Sequence, residues 1–315
     1  MTDVSHFTDY ASVEADELLE NDLRELVRLS INEDLSRSVD WTTVCLIDAH
    51  TRGGCDIVPR QPGVCAGVVT LPWIIDEFDA SLDIESFVAD GDELTPGRSM
   101  ARLTGNARDL LTSERVILNV LCKLCGVATQ TRRYAGAIEG TRAKLYDTRK
   151  TTPGWRRLEK YAVRMGGGHN HRTGLFDGFL IKDNHLGLGG DPKELLSAAE
   201  AARRALQWRG GRIDHLPAPR VVEIEVDSLA QLREVLPVGP DIVLADNFSL
   251  DELREAVALR DELNKAVQLE ASGNVTIDTI GAIAATGVDR ISSGALTHQA
   301  TWLDLGLDWT SEKSS

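Results

Sequence analysis

No stretch of the sequence holds about 18 apolar residues in succession, so no transmembrane helix is expected. The opening MTDVSHFTDYASVEADELLE is acidic and lacks the basic-then-apolar order of a secretory leader, so a cytoplasmic protein is expected. Basic residues are the minority, 34 against 49 acidic ones, and the formal charge is −15. That sign excludes nucleic acid and anionic membranes as partners, because both need a basic face. Cysteine is sparse: 5 residues, an odd number, do not make a disulfide framework. Cys122 and Cys125 form a CxxC, but they lie in LLTSERVILNVLCKLCGVATQTRR, where Leu111, Val116, Val120 and Leu124 recur at helical spacing. With no second CxxC or His pair at zinc-ligand spacing, they read as two small core residues of a helix.

What is present suits a globular protein. Apolar residues make up 42 % and charged residues 26 %, and 315 residues fit two modest domains or a barrel with an attached module. Asp16 to about Asn32 predicts an amphipathic helix with Leu18, Leu19, Leu23, Leu26, Val27 and Leu29 as its apolar stripe. The β-like runs CDIVPR, VCAGVVT, DIESFVA and SMARLTG follow, separated by Pro62-Gly63, Gly91 and Pro96-Gly97.

From about Lys144 strand and helix alternate. AKLYDTR, FDGFLIKDN, RVVEIEV, DIVLADNF, VQLEASG and RISSGAL read as strands. WRRLEKYAVRM and the segments near Lys193–Trp208, Ser228–Leu236, Leu250–Leu263 and Ile277–Ala285 read as connecting helices. Such units imply parallel strands with crossover helices. A barrel is favoured over an open doubly wound sheet because ionisable or hydroxyl residues end nearly every strand, where barrels build active sites. Those ends offer Arg149 and Lys150, then Lys182 to His185, then Glu223, Glu225 and Asp227, then Asp246 and Asn247. Glu270, Ser272 and Gly273 follow, and Ser292, Ser293 and Gly294 come last.

The run DTRKTTPGWRRLEKYAVRMGGGHNHR, Asp147 to Arg172, holds seven of the chain's 34 Lys and Arg in 26 residues, where an even spread (34/315 × 26) gives about three. Arg156, Lys160 and Arg164 stand four apart and read as a solvated or interface stripe. Arg149, Lys150, His171 and Arg172 flank the helix and can converge with Lys182. Clustered cations repel unless they meet an anion, so the ligand should carry several negative groups. Glu225 and Asp246 are hard oxygen ligands suited to Mg²⁺ held jointly with phosphates, and Glu223, on the same strand face as Glu225, could join them or pair with a basic residue. Ser272-Gly273-Asn274 and Ser293-Gly294 suit phosphate. The glycines of GLGGD, Gly187 to Asp191, read as a loop.

The segment TRKTTPGWRRLEKYAVRMGGGHNHRTGLFDGFLIKDNH closely resembles the signature of the quinolinate phosphoribosyltransferase family, and LLTSERVILN, VEIEVDS, DIVLADNF, LEASGN and ISSGALTH extend the likeness over roughly residues 15 to 310. The resemblance implies an N-terminal α+β open sandwich over residues 1–112, an incomplete α/β barrel over 113–298, and a C-terminal tail, 299–315, packed on the sandwich. It implies a homodimer or higher assembly, acting in NAD biosynthesis on quinolinate and phosphoribosyl pyrophosphate with Mg²⁺. Arg149, His171 and Arg172 would hold the two carboxylates of quinolinate, with Arg115 reaching in from the neighbouring subunit. Lys150 and Lys182 would lie between the substrates. Glu225 and Asp246 would sit at the Mg²⁺-pyrophosphate and ribose, and Ser272, Gly273, Gly294 and His298 at phosphate.

Three other readings compete. A related phosphoribosyltransferase for another pyridine or aromatic acid would leave one arginine without an anion if that acid were a monocarboxylate. A Schiff-base aldolase built on Lys182 wants a desolvated lysine, which Asp183 and the metal-like carboxylates fit less well. A non-catalytic ligand-binding protein could use the same fold, and turnover separates it from an enzyme.

Overall fold

The computed structural model describes residues 9–189, 195–209 and 211–310. The chain divides into two compact units, neither continuous in sequence. One gathers Val13–Arg133, Lys150–Gly168 and the described residues from Leu296 on; the other gathers Tyr134–Arg149, His169–Ala295 and the described residues up to Ser12.

The first unit holds a four-stranded antiparallel sheet in the order Leu305–Thr310, Arg52–Pro59, Ala101–Asn106, Leu82–Ser86. Along Ala101–Asn106 every second residue is buried, the period of a strand with one covered face. Helix Glu17–Leu35 starts at Asp16, whose carboxylate accepts from the Leu18 and Leu19 backbone N–H groups at 3.0 Å each. Its buried row is narrower than the sequence suggests. Leu19, Leu23 and Val27, one turn apart, face helix Leu71–Glu77, while Leu18 and Leu29 are exposed. Of VCAGVVT, read as a strand, only Val64 lies in one (Gly63–Val64): Gly67, at φ 102°, turns the chain into a 3-10 turn and then helix Leu71–Glu77.

Helix Ala107–Ala137 runs for 31 residues and buries Cys125, whose Sγ meets the backbone of Ala66, as a small core residue. Helix Arg156–Met165 corrects another reading: Lys160, expected on a solvated stripe, is fully buried, and so is Glu159. Helix Glu17–Leu35 packs against it, and helix Ala107–Ala137 meets it through an ion pair. From the latter, Lys123 reaches the Glu159 carboxylate at 2.8 Å.

The second unit holds six parallel strands in the order Lys144–Tyr146, Arg290–Ser292, Gln268–Ser272, Ile242–Asp246, Val222–Val226, Phe179–Ile181. This is chain order around a barrel, and among the described residues no ladder joins the first strand to the second. The barrel is therefore incomplete, as expected. On Val222–Val226 the apolar residues Val222, Ile224 and Val226 are buried on one face, toward helices Ala198–Trp208 and Leu229–Val235, and Glu223 and Glu225 share the other. The helices Ala198–Trp208, Leu229–Val235 and Leu250–Leu263 each begin at a serine (Ser197, Ser228, Ser249) whose hydroxyl accepts a backbone N–H three residues on. The glycine stretch expected to be a loop ends a short helix, Asp183–Gly189; Gly190, Asp191 and Lys193 lie outside the described residues. Among the described residues no helix is long and apolar enough to cross a membrane.

Candidate active site

The frame of the site begins at Asp147, just beyond the Lys144–Tyr146 strand and fully buried. Its carboxylate accepts from the His171 backbone N–H at 2.8 Å and from Asn170 Nδ2 at 2.7 Å, while its own N–H donates to the His169 carbonyl at 3.1 Å. Asp177 fixes the next turn, accepting from the Thr173 N–H and hydroxyl at 2.6 Å each and from the Gly174 N–H at 3.0 Å. Arg149 and Arg172 flank this frame, and the Nε of each is buried with no acceptor among the described residues. An unmet buried donor costs roughly 1–3 kcal/mol. A guanidinium in that state is completed by a carboxylate or phosphate, whose paired oxygens match its fork.

At the strand ends Lys182 pairs with the Glu225 carboxylate. Beside it, Asp246 accepts from Asn247 Nδ2 at 2.8 Å, and Asn247 Oδ1 accepts from Asn274 Nδ2 at 3.2 Å. The Asn247 N–H donates to the Ser272 carbonyl at 2.9 Å. Asn247 (φ 57°), Gly273 (φ 97°) and Asn274 (φ 48°) all take the left-handed conformation. A Cβ on Gly273 would lie 2.2 Å from Asn247 Oδ1, so only glycine fits there. Ser293 Oγ donates to the Val275 carbonyl at 3.1 Å and accepts from the Ala295 N–H at 3.3 Å, tying the turns after the last two strands together. Gly294 is half-buried.

Beneath these groups lies a charged floor. His171 Nε2 stands 2.9 Å from Glu223 Oε2 and 3.5 Å from Glu270 Oε1, and its Nδ1 accepts the Arg172 backbone N–H at 2.8 Å. Arg290, fully buried, donates to Glu270 Oε2 through Nε and to Asp9 Oδ1 through Nη1, both at 2.8 Å, and lies 3.5 Å from the Tyr146 ring centroid. The Tyr146 hydroxyl donates to Asp9 Oδ2 at 2.7 Å, and the Tyr10 hydroxyl donates to Glu223 Oε2 at 2.5 Å. Burial opposes charge on His171, but Glu223 and then Glu270 outweigh it and hold the imidazole pKa above its ordinary value. The Arg172 N–H on Nδ1 places the first ring proton on Nε2. Burial likewise raises Glu223, yet the charge and hydrogen bond of His171, followed by Tyr10, bring it below the usual carboxylate range.

Two donor sets could hold a metal. His171, Glu223 and Glu270 offer ligand atoms within 4.8 Å of one another, all buried. Glu223 Oε2 already accepts from Tyr10 and faces His171 Nε2, Glu270 Oε2 accepts from Arg290, and His171 Nδ1 accepts from Arg172. One ligand atom of each group is thus engaged from within, while Oε1 of each glutamate has no hydrogen-bond partner among the described residues. Glu225 and Asp246, half-buried at neighbouring strand ends, are the better fit to a hard cation that shares phosphate oxygens. A separate cavity of about 730 Å³, lined by Phe176, Phe179, Trp208, Ile213 and Leu216, carries no charged side chain and does not suit an anionic ligand.

Of the residues expected at the site, Arg149, His171, Arg172, Lys182, Glu225, Asp246, Ser272, Gly273 and Gly294 fall in one unit. Arg115, Lys150 and His298 fall in the other, each exposed; there the Thr297 hydroxyl donates to the Lys150 carbonyl at 2.7 Å. Sequence reasoning missed Asp9, Tyr10, Asp147 and Arg290. Asp147 was readable as the acid ending the first strand; Asp9 and Tyr10 carried no signal, standing in a stretch with no periodicity.

The chain matches two family models, the quinolinate phosphoribosyl transferase N-terminal domain over residues 40–125 and its C-terminal domain over residues 127–308. It is 41 % identical over 290 residues to a nicotinate-nucleotide pyrophosphorylase (carboxylating) of Mycobacterium leprae, covering 90 % of this chain and 96 % of that protein. A probable enzyme of the same name from Synechocystis is 39 % identical, over 87 % of this chain and 88 % of its own. The solved nicotinate-nucleotide pyrophosphorylase of Francisella tularensis superposes with a TM-score of 0.84 at 34 % identity, covering 96 % of this chain and 100 % of its own. Matches of this extent, joined to the open six-stranded barrel and its cation-lined strand ends, establish that the chain belongs to the quinolinate phosphoribosyl transferase family.

Proposed function

We propose that the protein joins quinolinate to C1 of phosphoribosyl pyrophosphate, releasing pyrophosphate and CO₂ and forming nicotinate mononucleotide, a step of NAD biosynthesis. The observation that carries this reading is the pair Arg149 and Arg172, each with a buried Nε that lacks an acceptor among the described residues. Quinolinate brings two carboxylates, one for each fork. The pyridine nitrogen forms the N–C1 bond as the C1–O bond breaks and its electron pair leaves on pyrophosphate. The bond from C2 to its carboxylate then breaks, CO₂ departs, and the electron pair left on C2 is stabilised by the adjacent pyridinium until it takes a proton.

The chain's part is to orient the reactants and stabilise charge. Arg149 and Arg172 hold quinolinate, with His171 supporting the Arg172 backbone through Nδ1, and Lys150 and Lys182 offset anionic charge between the substrates. Glu225 and Asp246 stabilise positive charge developing at C1. Ser272, Gly273, Gly294 and His298 bind phosphate. Glu225 and Asp246 would also hold Mg²⁺, which when bound offsets the charge of pyrophosphate. Arg115 is exposed on its helix; in this reading it serves the site of a second copy, and the protein acts as a homodimer or larger assembly in the cytoplasm.

With quinolinate, phosphoribosyl pyrophosphate and Mg²⁺, the purified protein should release one CO₂ for each nicotinate mononucleotide formed. Nicotinate, with a single carboxylate, should react far more slowly. Equal turnover of the two acids would contradict the assignment.

A further inference from the structure

Tyr10 and Asp9 stand at least 137 residues before the floor groups their side chains bond, yet Tyr10 is only 7 % exposed. Tyr10 contacts two partners in different ways. Its ring stacks on the His171 imidazole, centroids 4.5 Å apart and planes inclined by 29°, and its hydroxyl donates to Glu223. Each partner leads to the reacting groups. His171 Nδ1 holds the backbone N–H of Arg172 at 2.8 Å, and Arg172 presents the buried, unmet Nε. Glu223 lies two residues from Glu225 on the same strand face. Asp9 anchors the segment through Arg290 and Tyr146, so that Tyr10 enters the barrel unit at a fixed point.

A residue that merely filled this space would need no hydroxyl, because phenylalanine has the same ring. Tyrosine instead sets a buried O–H against a buried carboxylate and a flat face against an imidazole, which fixes both rotamers. We propose that Tyr10 is a positioning residue of the active site: it sets the His171 ring and, through it, the Arg172 arm that receives a quinolinate carboxylate. This rests on the quinolinate reading above.

The test compares wild type, Tyr10→Ala and Tyr10→Phe in steady-state kinetics and in ¹⁵N NMR of histidine-labelled protein. Loss of ring and hydroxyl in Tyr10→Ala should raise the quinolinate KM about tenfold, the scale of a lost ring stack with a charge-assisted hydrogen bond. The KM for phosphoribosyl pyrophosphate should stay within about twofold. Tyr10→Phe keeps the stack and should rise about threefold, so it decides the matter if Tyr10→Ala does not fold. The His171 ring resonances should move in both variants. A quinolinate KM within twofold of wild type in a folded Tyr10→Phe, or equal rises in both substrate KM values, would overturn the proposal. A wild type that does not turn over quinolinate sinks the functional reading alone. In that case shifted His171 resonances still support the positioning role, and unshifted ones overturn it.

Discussion

Removing the charge of Arg290 is the sharpest probe of the barrel floor. Its side chain is 0 % exposed, and Nε and Nη1 each hold a carboxylate at 2.8 Å, Glu270 and Asp9. Arg290→Met keeps most of the volume and leaves both acids without that cation. The two acids contribute unequally. Asp9 keeps 33 % of its side chain exposed and regains water; Glu270, at 0 %, cannot. Stranding a buried charge costs about 3–5 kcal/mol, a large part of the roughly 5–15 kcal/mol that holds a domain folded. Equilibrium urea unfolding at pH 7, followed by circular dichroism, should show that loss as a shift in midpoint. The double variant Arg290→Met, Glu270→Gln should recover more than half of it, since no full charge is then stranded at Glu270. The deficit should also narrow in acid. Burial raises the Asp9 pKa, but the Arg290 charge outweighs it and leaves the group below its ordinary value. A depressed carboxyl contributes stability that is complete above its unfolded pKa of about 3.9 and is lost as pH falls from there. A loss below about 1 kcal/mol in the single variant, or a double variant as unstable as the single, would refute the account of a coupled buried pair.

Asp246→Asn and Glu225→Gln keep side-chain size but remove charge at the strand ends, and each should lower kcat by about 10² or more at saturating Mg²⁺. Near wild-type turnover in both would remove them from catalysis. Arg115→Ala and Arg172→Ala should each be nearly inactive, yet a mixture that exchanges subunits should regain activity, because one site per heterodimer keeps Arg115 from one chain and Arg172 from the other. Confirmed exchange without recovery would place Arg115 outside the neighbouring site.

The barrel half was legible because its signals are local. Val222–Val226 alternates Glu with Val and Ile, and the serine caps at 197, 228 and 249 mark helix starts after a strand or loop. The strand-end groups followed from the same register. Three things were not legible. Gly67 interrupts a stretch whose β-branched residues favour a strand, and its positive φ can be known only from the fold. Lys160 sits where spacing alone predicts solvent, and only tertiary packing buries it. The floor joins Tyr10 to Glu223 across 213 residues and Asp9 to Arg290 across 281, and no window of sequence contains both ends of such a pair.

The antiparallel sheet has a consequence for how the chain leaves the ribosome. Arg52–Pro59 is an interior strand only because Leu305–Thr310 closes one side of it. The final strand emerges last, about 250 residues after Pro59, which at roughly 5–20 residues per second is about 12–50 s of synthesis. Throughout that interval the unpaired N–H and C=O row of Arg52–Pro59 is a template that another nascent chain on the same messenger can occupy. Vectorial synthesis therefore leaves this protein open to intermolecular pairing at one defined strand, and a holdase that covers residues 52–59 until release would raise the yield of native protein.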